Sequence, residues 1–409
     1  MKKIIAMLLG PLVTALAYVM LSSTPVFAAG PYTCTWTGAT NNNFNIAGNW
    51  SGCNSSFPQP GDNDNLIFDN TSMSGTKVLS NNITNLNLTS ITFQGNNVSD
   101  FSFTINGNGI SISGGITDTM DSDPLINAAL TLTGSQSITT AGGGVALGAV
   151  NIGTYDLTTL DGISITTLSG SGNINITSDQ NPNLAGLTLG PATSTYSGQI
   201  TVQNTAELDL DFDGGGNNPM GSGSVVVESG GAMLVDTALD TLNLSNKITA
   251  LSGAGGTNSS YGAIISCLGD SSGCTSDGND TTLTLSGNVV LEGDTQIVNG
   301  AYYPAEPSPP SNTSTFDLTG AESMNCYTLT AVSNSATTVT IPANTPSVCP
   351  VTSSGASSGG GTTATVPKAP DTGDGLSFSN TITPVLGSII FVAGLTILGH
   401  KLNLSHKRR

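Results

Sequence analysis

Short apolar alternations between Gly, Asn, Ser and Asp turns recur along most of this chain. Ile110-Ser111-Ile112, Ala129-Leu130-Thr131-Leu132, Ile163-Ser164-Ile165 and Ile174-Asn175-Ile176 are typical. Leu187-Thr188-Leu189, Ile200-Thr201-Val202, Leu208-Asp209-Leu210, Leu242-Asn243-Leu244 and Leu283-Thr284-Leu285 continue the series, as do the apolar runs Val225-Val226-Val227 and Val289-Val290-Leu291. Period two in β-branched residues and Leu marks strands with one face buried. The strands are roughly three to five residues long, and their spacing is irregular at roughly 8 to 15 residues. Almost nothing before the C-terminal apolar run has a helical period, so the expected class is all-β.

Two architectures fit such strands. A β-sandwich array needs longer strands and a more aromatic core. A parallel β-helix needs only two or three inward residues per strand, because each coil hydrogen-bonds to the next. Gly and Asn turn its corners, where positive φ is common. The pattern predicts the β-helix, with some ten coils making a rod on the order of 50 Å at about 4.8 Å per coil.

Both ends of the chain read differently from the middle. Lys2 and Lys3 precede an apolar stretch from Ile4 to Leu21, and Val26-Phe27-Ala28 is a small-x-small cleavage site. Residues 1–28 are therefore expected to be a signal peptide; the competing reading is an uncleaved anchor helix, against which Pro11 counts. At the other end an apolar run, 382–399, has no charge between Asp374 and Lys401. Its length at about 1.5 Å per residue gives about 27 Å, close to the hydrocarbon core of a bilayer. Lys401, Lys407, Arg408 and Arg409 behind it favour a cytoplasmic tail. The expectation is a single C-terminal transmembrane helix holding the protein at a membrane.

Charge narrows the partners. All 27 acidic residues lie between Asp62 and Asp374, where the only bases are Lys77, Lys247 and Lys368; three bases against 27 acids give −24. The same stretch has no Arg and no His. Such a surface repels phosphate backbones, which argues against nucleic-acid partners. It suits Ca²⁺, and equally it simply keeps an exposed β protein soluble.

The six cysteines fall into three local pairs: Cys34 with Cys53, Cys267 with Cys274 and Cys326 with Cys349. An exported chain keeps disulfides. Neighbour pairing is expected because each pair lies within one module, although sequence alone allows fifteen connectivities. There is no CxxC and no nearby His to favour a metal.

These features divide the chain. Residues 29–77 form an N-terminal cap with Trp36, Trp50 and the first cysteine pair, and 78–303 the β-helix rod. A Pro-rich linker follows at 304–315, then a small β module or cap at 316–350 and a Ser/Gly/Thr-rich stalk at 351–368. Residues 369–409 close the chain.

Two stretches resemble known families. Thr35-Trp36-Thr37-Gly38, Gly48-Asn49-Trp50-Ser51, Pro60-Gly61-Asp62 and Leu66-Ile67-Phe68-Asp69 resemble the opening of autotransporter-type adhesin passengers. Thr195-Tyr196-Ser197-Gly198-Gln199-Ile200-Thr201-Val202 resembles their strand repeat. So do Pro219-Met220-Gly221-Ser222-Gly223-Ser224-Val225-Val226-Val227 and Gly230-Gly231-Ala232-Met233-Leu234. The resemblance covers roughly half of the chain by its degenerate repeat pattern. It implies a right-handed parallel β-helix displayed at the cell surface as an adhesin. The outer-membrane barrel of true autotransporters is not in the sequence.

The tail resembles the LPxTG sorting signal of Gram-positive-type wall proteins. Pro370, Thr372 and Gly373 are kept around Asp371, while Ala369 stands where the family has Leu. The resemblance implies a sortase that cuts between Thr372 and Gly373; the alternative is simple anchoring on the helix. Together the two resemblances predict an exported protein of the cell wall or cell surface of a Gram-positive-type envelope. Its processing partners would be signal peptidase and sortase, and its target a host or neighbouring cell surface or a glycan.

One acidic cluster is a candidate Ca²⁺ site. Asp209-Leu210-Asp211-Phe212-Asp213-Gly214 opens like a calcium loop, but Met220 stands where the bidentate acid belongs, so this is no EF-hand. The competing reading is an outward strand face over Leu208, Leu210 and Phe212. Asp277-Gly278-Asn279-Asp280 is a weaker candidate and reads as a turn. No other cofactor is expected. Enzymatic readings suffer from the want of His and Arg between Asp62 and Asp374 and from the scarcity of aromatic sugar platforms. A two-carboxylate glycosidase has Glu207, Asp209, Asp211 and Glu228 as nominal residues. The expectation is a non-catalytic adhesin; a structural coat or stalk protein and a surface glycosidase are the alternatives.

Overall fold

In the computed structural model the described residues are 31–340, apart from 72, 74, 96–100, 142, 179–185, 204, 213–217, 238–240, 251–263, 269–280, 300–313, 324–326, 328 and 334–336. The expected signal peptide, stalk, sorting motif and transmembrane helix lie outside them.

The period-two segments all become strands, and the strands pair in parallel across successive coils. Ile110–Ile112 pairs with Leu130–Leu132, Ile163–Gly170 with Leu187–Leu189, and Leu187–Leu189 with Glu207–Asp211. One antiparallel contact interrupts this rule among the described residues, between Thr35-Trp36 and Trp50-Ser51. The result is an all-β parallel solenoid. No α-helix occurs among the described residues; Ala47–Asn49 makes one 3₁₀ turn. No described helix is long and apolar enough to cross a membrane.

Register places like residues above one another. One inward column runs Cys34, Leu66, Ile91, Ile116, Ile138, Thr159, Ile176, Val202, Val227. A second runs Leu79, Ile105, Ile126, Leu147, Ile165, Leu189, Leu210, Val235. A third starts Leu86, Ile110, Leu130, Val150, Leu168. Every one of these side chains is buried. A branched aliphatic chain set directly over its neighbour fills the narrow interior without voids, which explains the preference for Ile, Leu and Val. The alternate positions face out and are short and polar. Asn87, Ser111, Thr131, Asn151, Ser169 and Thr195 form one such outward column.

The parallel ladder extends on both sides of the expected 78–303 rod. Thr33–Trp36 already pairs in parallel with Asp64–Asp69, and Asp64–Asp69 with Leu86–Gln94. What distinguishes the first coil is its plug. Trp36, Phe44, Trp50 and Phe68 pack with ring centroids 4.9 to 6.4 Å apart. Trp50 Nε1 donates to Phe44 O at 2.7 Å. Buried Asn49 ties the loop above: its Oδ1 accepts from the Thr40 and Asn41 amides, and its Nδ2 donates to Asn41 Oδ1 and Asn43 O. Cys34 and Cys53 form the expected disulfide, with Cα atoms 4.6 Å apart. This plug covers a strand edge that would otherwise recruit other chains.

At the far side, parallel pairing continues into the segment expected as a small β module or cap. Ser314–Asp317 pairs in parallel with Thr281–Leu285, and Thr337–Thr340 with Ser314–Asp317. Cys274, Cys326 and Cys349 lie outside the described residues, and the two bridges expected of them with them.

Candidate functional site

A cleft forms at one corner of the solenoid, because successive coils turn that corner with loops of different length. Residues 119–124 turn it first, 141–144 one coil later, and Asp161-Gly162 alone one coil after that. Asp161 has φ of 55° and Gly162 of 51°. Two consecutive left-handed residues give the tightest available reversal, and Asp-Gly adopts it at little cost. The projecting loop beside the tight one leaves a cleft of about 420 Å³. Its lining includes Asp121, Asp123, Gly143, Gly144, Ala146, Gly162, Ser164 and Thr188. That volume falls in the range of small-ligand sites.

Backbone bonds hold the cleft's wall to its floor. Asp123 Oδ1 accepts from the Gly144 amide at 2.6 Å. Gly143 N donates to Met120 O, Ala146 N to Pro124 O and Val145 N to Gly162 O. Ala146, Ser164 and Thr188 stand in one outward column, one rung apart. The next rung of that column is Asp209, whose Oδ2 accepts from Thr188 Oγ1 at 3.3 Å.

The acidic strand Glu207–Asp211 thus continues the cleft's outward column. Glu207, Asp209 and Asp211 alternate with buried Leu208 and Leu210, and Phe212 is buried too, as the outward-face reading expects. Burial pushes the Glu207 carboxyl above its ordinary range. Asp213 and residues 277–280 lie outside the described residues. Among the described residues, no group of three or more His, Cys, Asp or Glu is placed to hold a metal ion. Glu228 is not brought to the other acids. It follows Ser224–Val227, which pairs with Gln199–Val202 and Ile248–Ala250, a different ladder from that of Glu207–Asp211.

The cleft offers hydrogen-bond acceptors and hydroxyls, and none of its lining residues is a base or an aromatic. It can accept bonds from hydroxyls or amines and repels carboxylates, sulfates and phosphates. Sequence reasoning missed Asp121 and Asp123. The signal that could have marked them is the acid-rich turn Asp118-Thr119-Met120-Asp121-Ser122-Asp123 set one coil before Gly143-Gly144.

Known proteins add nothing to this geometry: no family model, no curated protein and no solved structure matches the chain.

Proposed function

We propose that this is an exported surface protein, anchored by its C-terminus, whose solenoid is a non-catalytic adhesin. The observation that supports it is the parallel pairing of strands coil upon coil between Thr33 and Thr340, which makes a long side wall carrying a lateral cleft without any cationic or histidine side chain. A rod of this kind presents a side wall to a partner, and acceptor-rich cleft walls suit a hydroxyl-bearing glycan on a host or neighbouring cell. The sortase-like motif at Ala369–Gly373 and the apolar run behind it would supply the attachment. Deleting the chain should lower cell attachment while leaving the envelope's outline intact. Unchanged attachment would sink the reading. For the anchor, Thr372→Ala should release the protein from covalent linkage to the wall, and unchanged wall-linked material removes sortase from the account.

A structural coat or stalk is the second reading. It is favoured by the uniform outward column of Asn87, Ser111, Thr131, Asn151, Ser169 and Thr195, which offers no distinctive feature to recognise. A coat protein would be abundant and self-assembling, and its loss would alter the cell outline.

A further inference from the structure

We propose that the corner at residues 118–124 is a proton-operated latch: Asp118 is packed as a neutral acid, and loss of its proton loosens the turn that carries Asp121 and Asp123.

Asp118 ends the strand Ile116–Asp118 and points inward, between Phe93 on the coil before and Thr140 on the coil after. It is fully buried. Its Oδ1 accepts from the Met120 amide at 3.0 Å. Its Oδ2 is buried and has no hydrogen-bond partner among the described residues, and the same is true of Ser122 Oγ in the same turn. A buried carboxylate with one oxygen unpaired is among the costliest groups a fold can hold.

Among the described residues, the surroundings offer nothing to neutralise it. The flanking strands Leu86–Gln94 and Gln136–Thr140 contain no titratable residue, and neither does Leu125–Ile126, the strand that follows the turn. The turn itself supplies Asp121 and Asp123, both of the same sign. One rung past Thr140 stands Asp161, another acid. Burial first, then the charges of Asp123 and Asp121, push the Asp118 carboxyl from 3.8 to about 7, against the opposing pull of the Met120 amide.

The sign follows from linkage. The folded value lies above the ordinary one, so the folded chain holds this proton more tightly. Below about pH 4 both forms carry it and it contributes nothing. From there to about pH 7 the folded state loses stability, and above pH 7 the loss is complete. The loss falls on a turn that other coils lean on. Ala141 N donates to Asp118 O, Gly143 N to Met120 O, and Gly144 N to Asp123 Oδ1. Loosening therefore moves the cleft wall, and with it whatever the cleft holds.

Amide exchange on the full chain in detergent, corrected for the intrinsic base-catalysed rate, tests this. Protection at Met120, Ala141, Gly143 and Gly144 should fall by roughly tenfold or more between pH 5 and pH 8, while amides of Leu187–Leu189 keep theirs. Asp118→Asn should remove the pH dependence at those four amides. Asp118→Thr, which copies the residue one coil on, should do the same. Flat protection in the unmodified chain overturns the proposal, whether or not the variants fold. So does a loss spread evenly over the rod, or one that persists in a folded variant.

Discussion

Asp118 follows Phe93 in one inward column of the solenoid, so a carboxyl occupies the rung directly after a phenyl ring. Above it the column is aromatic: Trp36, Phe68 and Phe93. Below it the column turns polar, with Thr140 next. The exchange of rings for small polar groups coincides with the corner where loop length changes and the cleft opens. Asp118 can pair with the Met120 amide and so fold the turn back on itself, which a fourth ring could not do.

This juxtaposition has a consequence for thermal stability. Asp118→Asn should melt higher than the unmodified chain at pH 8 and at nearly the same temperature at pH 4. The full difference between 3.8 and about 7 corresponds to about 4 kcal/mol, an upper bound for the gain at pH 8. Melting curves at the two pH values check it; an equal shift at both would mean that packing, not charge, was changed.

The plug at the first coil should dominate the stability of that end. Trp50→Ala removes a ring packed edge-on to Trp36 at 4.9 Å and the 2.7 Å bond to Phe44 O. A loss of about 3–5 kcal/mol is expected, and open strand edges with it. Calorimetric melting together with light scattering would show both a lower transition and faster aggregation.

The disulfide beneath that plug closes a loop with a sequence separation of 19. Chain-entropy arguments give it about 3 kcal/mol. Adding reductant should lower the melting temperature of the unmodified chain. In the Cys34→Ser/Cys53→Ser double variant, reductant should change nothing further at this coil, as amide exchange of Thr33–Trp36 would report.

Gly223 lies against a buried tyrosine. A Cβ there would meet Tyr196 Cδ1 at 2.6 Å and Cε1 at 2.7 Å. The ring cannot retreat, because Tyr196 is fully buried and its hydroxyl donates to Gly172 O at 3.0 Å. Gly223→Ala should therefore cost about 1–3 kcal/mol, and Tyr196→Phe about 1 kcal/mol through the lost hydrogen bond. Denaturant titration distinguishes the two.

For the cleft, Ser164→Phe places a ring on an outward rung of the lining and leaves the buried columns untouched. Attachment of cells displaying the variant should drop at least about tenfold if the cleft carries recognition. Its melting temperature should stay within a degree or two of the unmodified chain, since surface changes alter stability by about 0.5 kcal/mol or less. Undiminished attachment would move the recognition surface elsewhere on the rod.

Much of the fold is legible in the sequence because strand period is local. Each inward residue of Leu208-Asp209-Leu210 or Ile163-Ser164-Ile165 announces its side by alternation alone, and both are buried as expected. Likewise Cys34 and Cys53 flank one short loop, so their pairing needed no knowledge of distant contacts. The cleft was not legible. Asp121, Gly162 and Thr188 meet only because each coil between them consumes a particular number of residues at its corner. A turn shortened to Asp161-Gly162 shifts which outward residues become neighbours without leaving any periodic trace.

The sequence by itself determined the class of fold, the alternation of sides along each strand, the acidic surface and the first disulfide. These follow from alternation, composition and short-range closure. Tertiary structure decided where the ladders begin and continue, since Thr33–Trp36 pairs with Asp64–Asp69 in one sheet and Ser314–Asp317 with Thr281–Leu285 in another, partners tens of residues away. It also decided that Asp118 is fully buried while Asp209 is only half-buried. Alternation gives a side chain one of two directions; which direction is the interior depends on coil register, and register is a property of the stack.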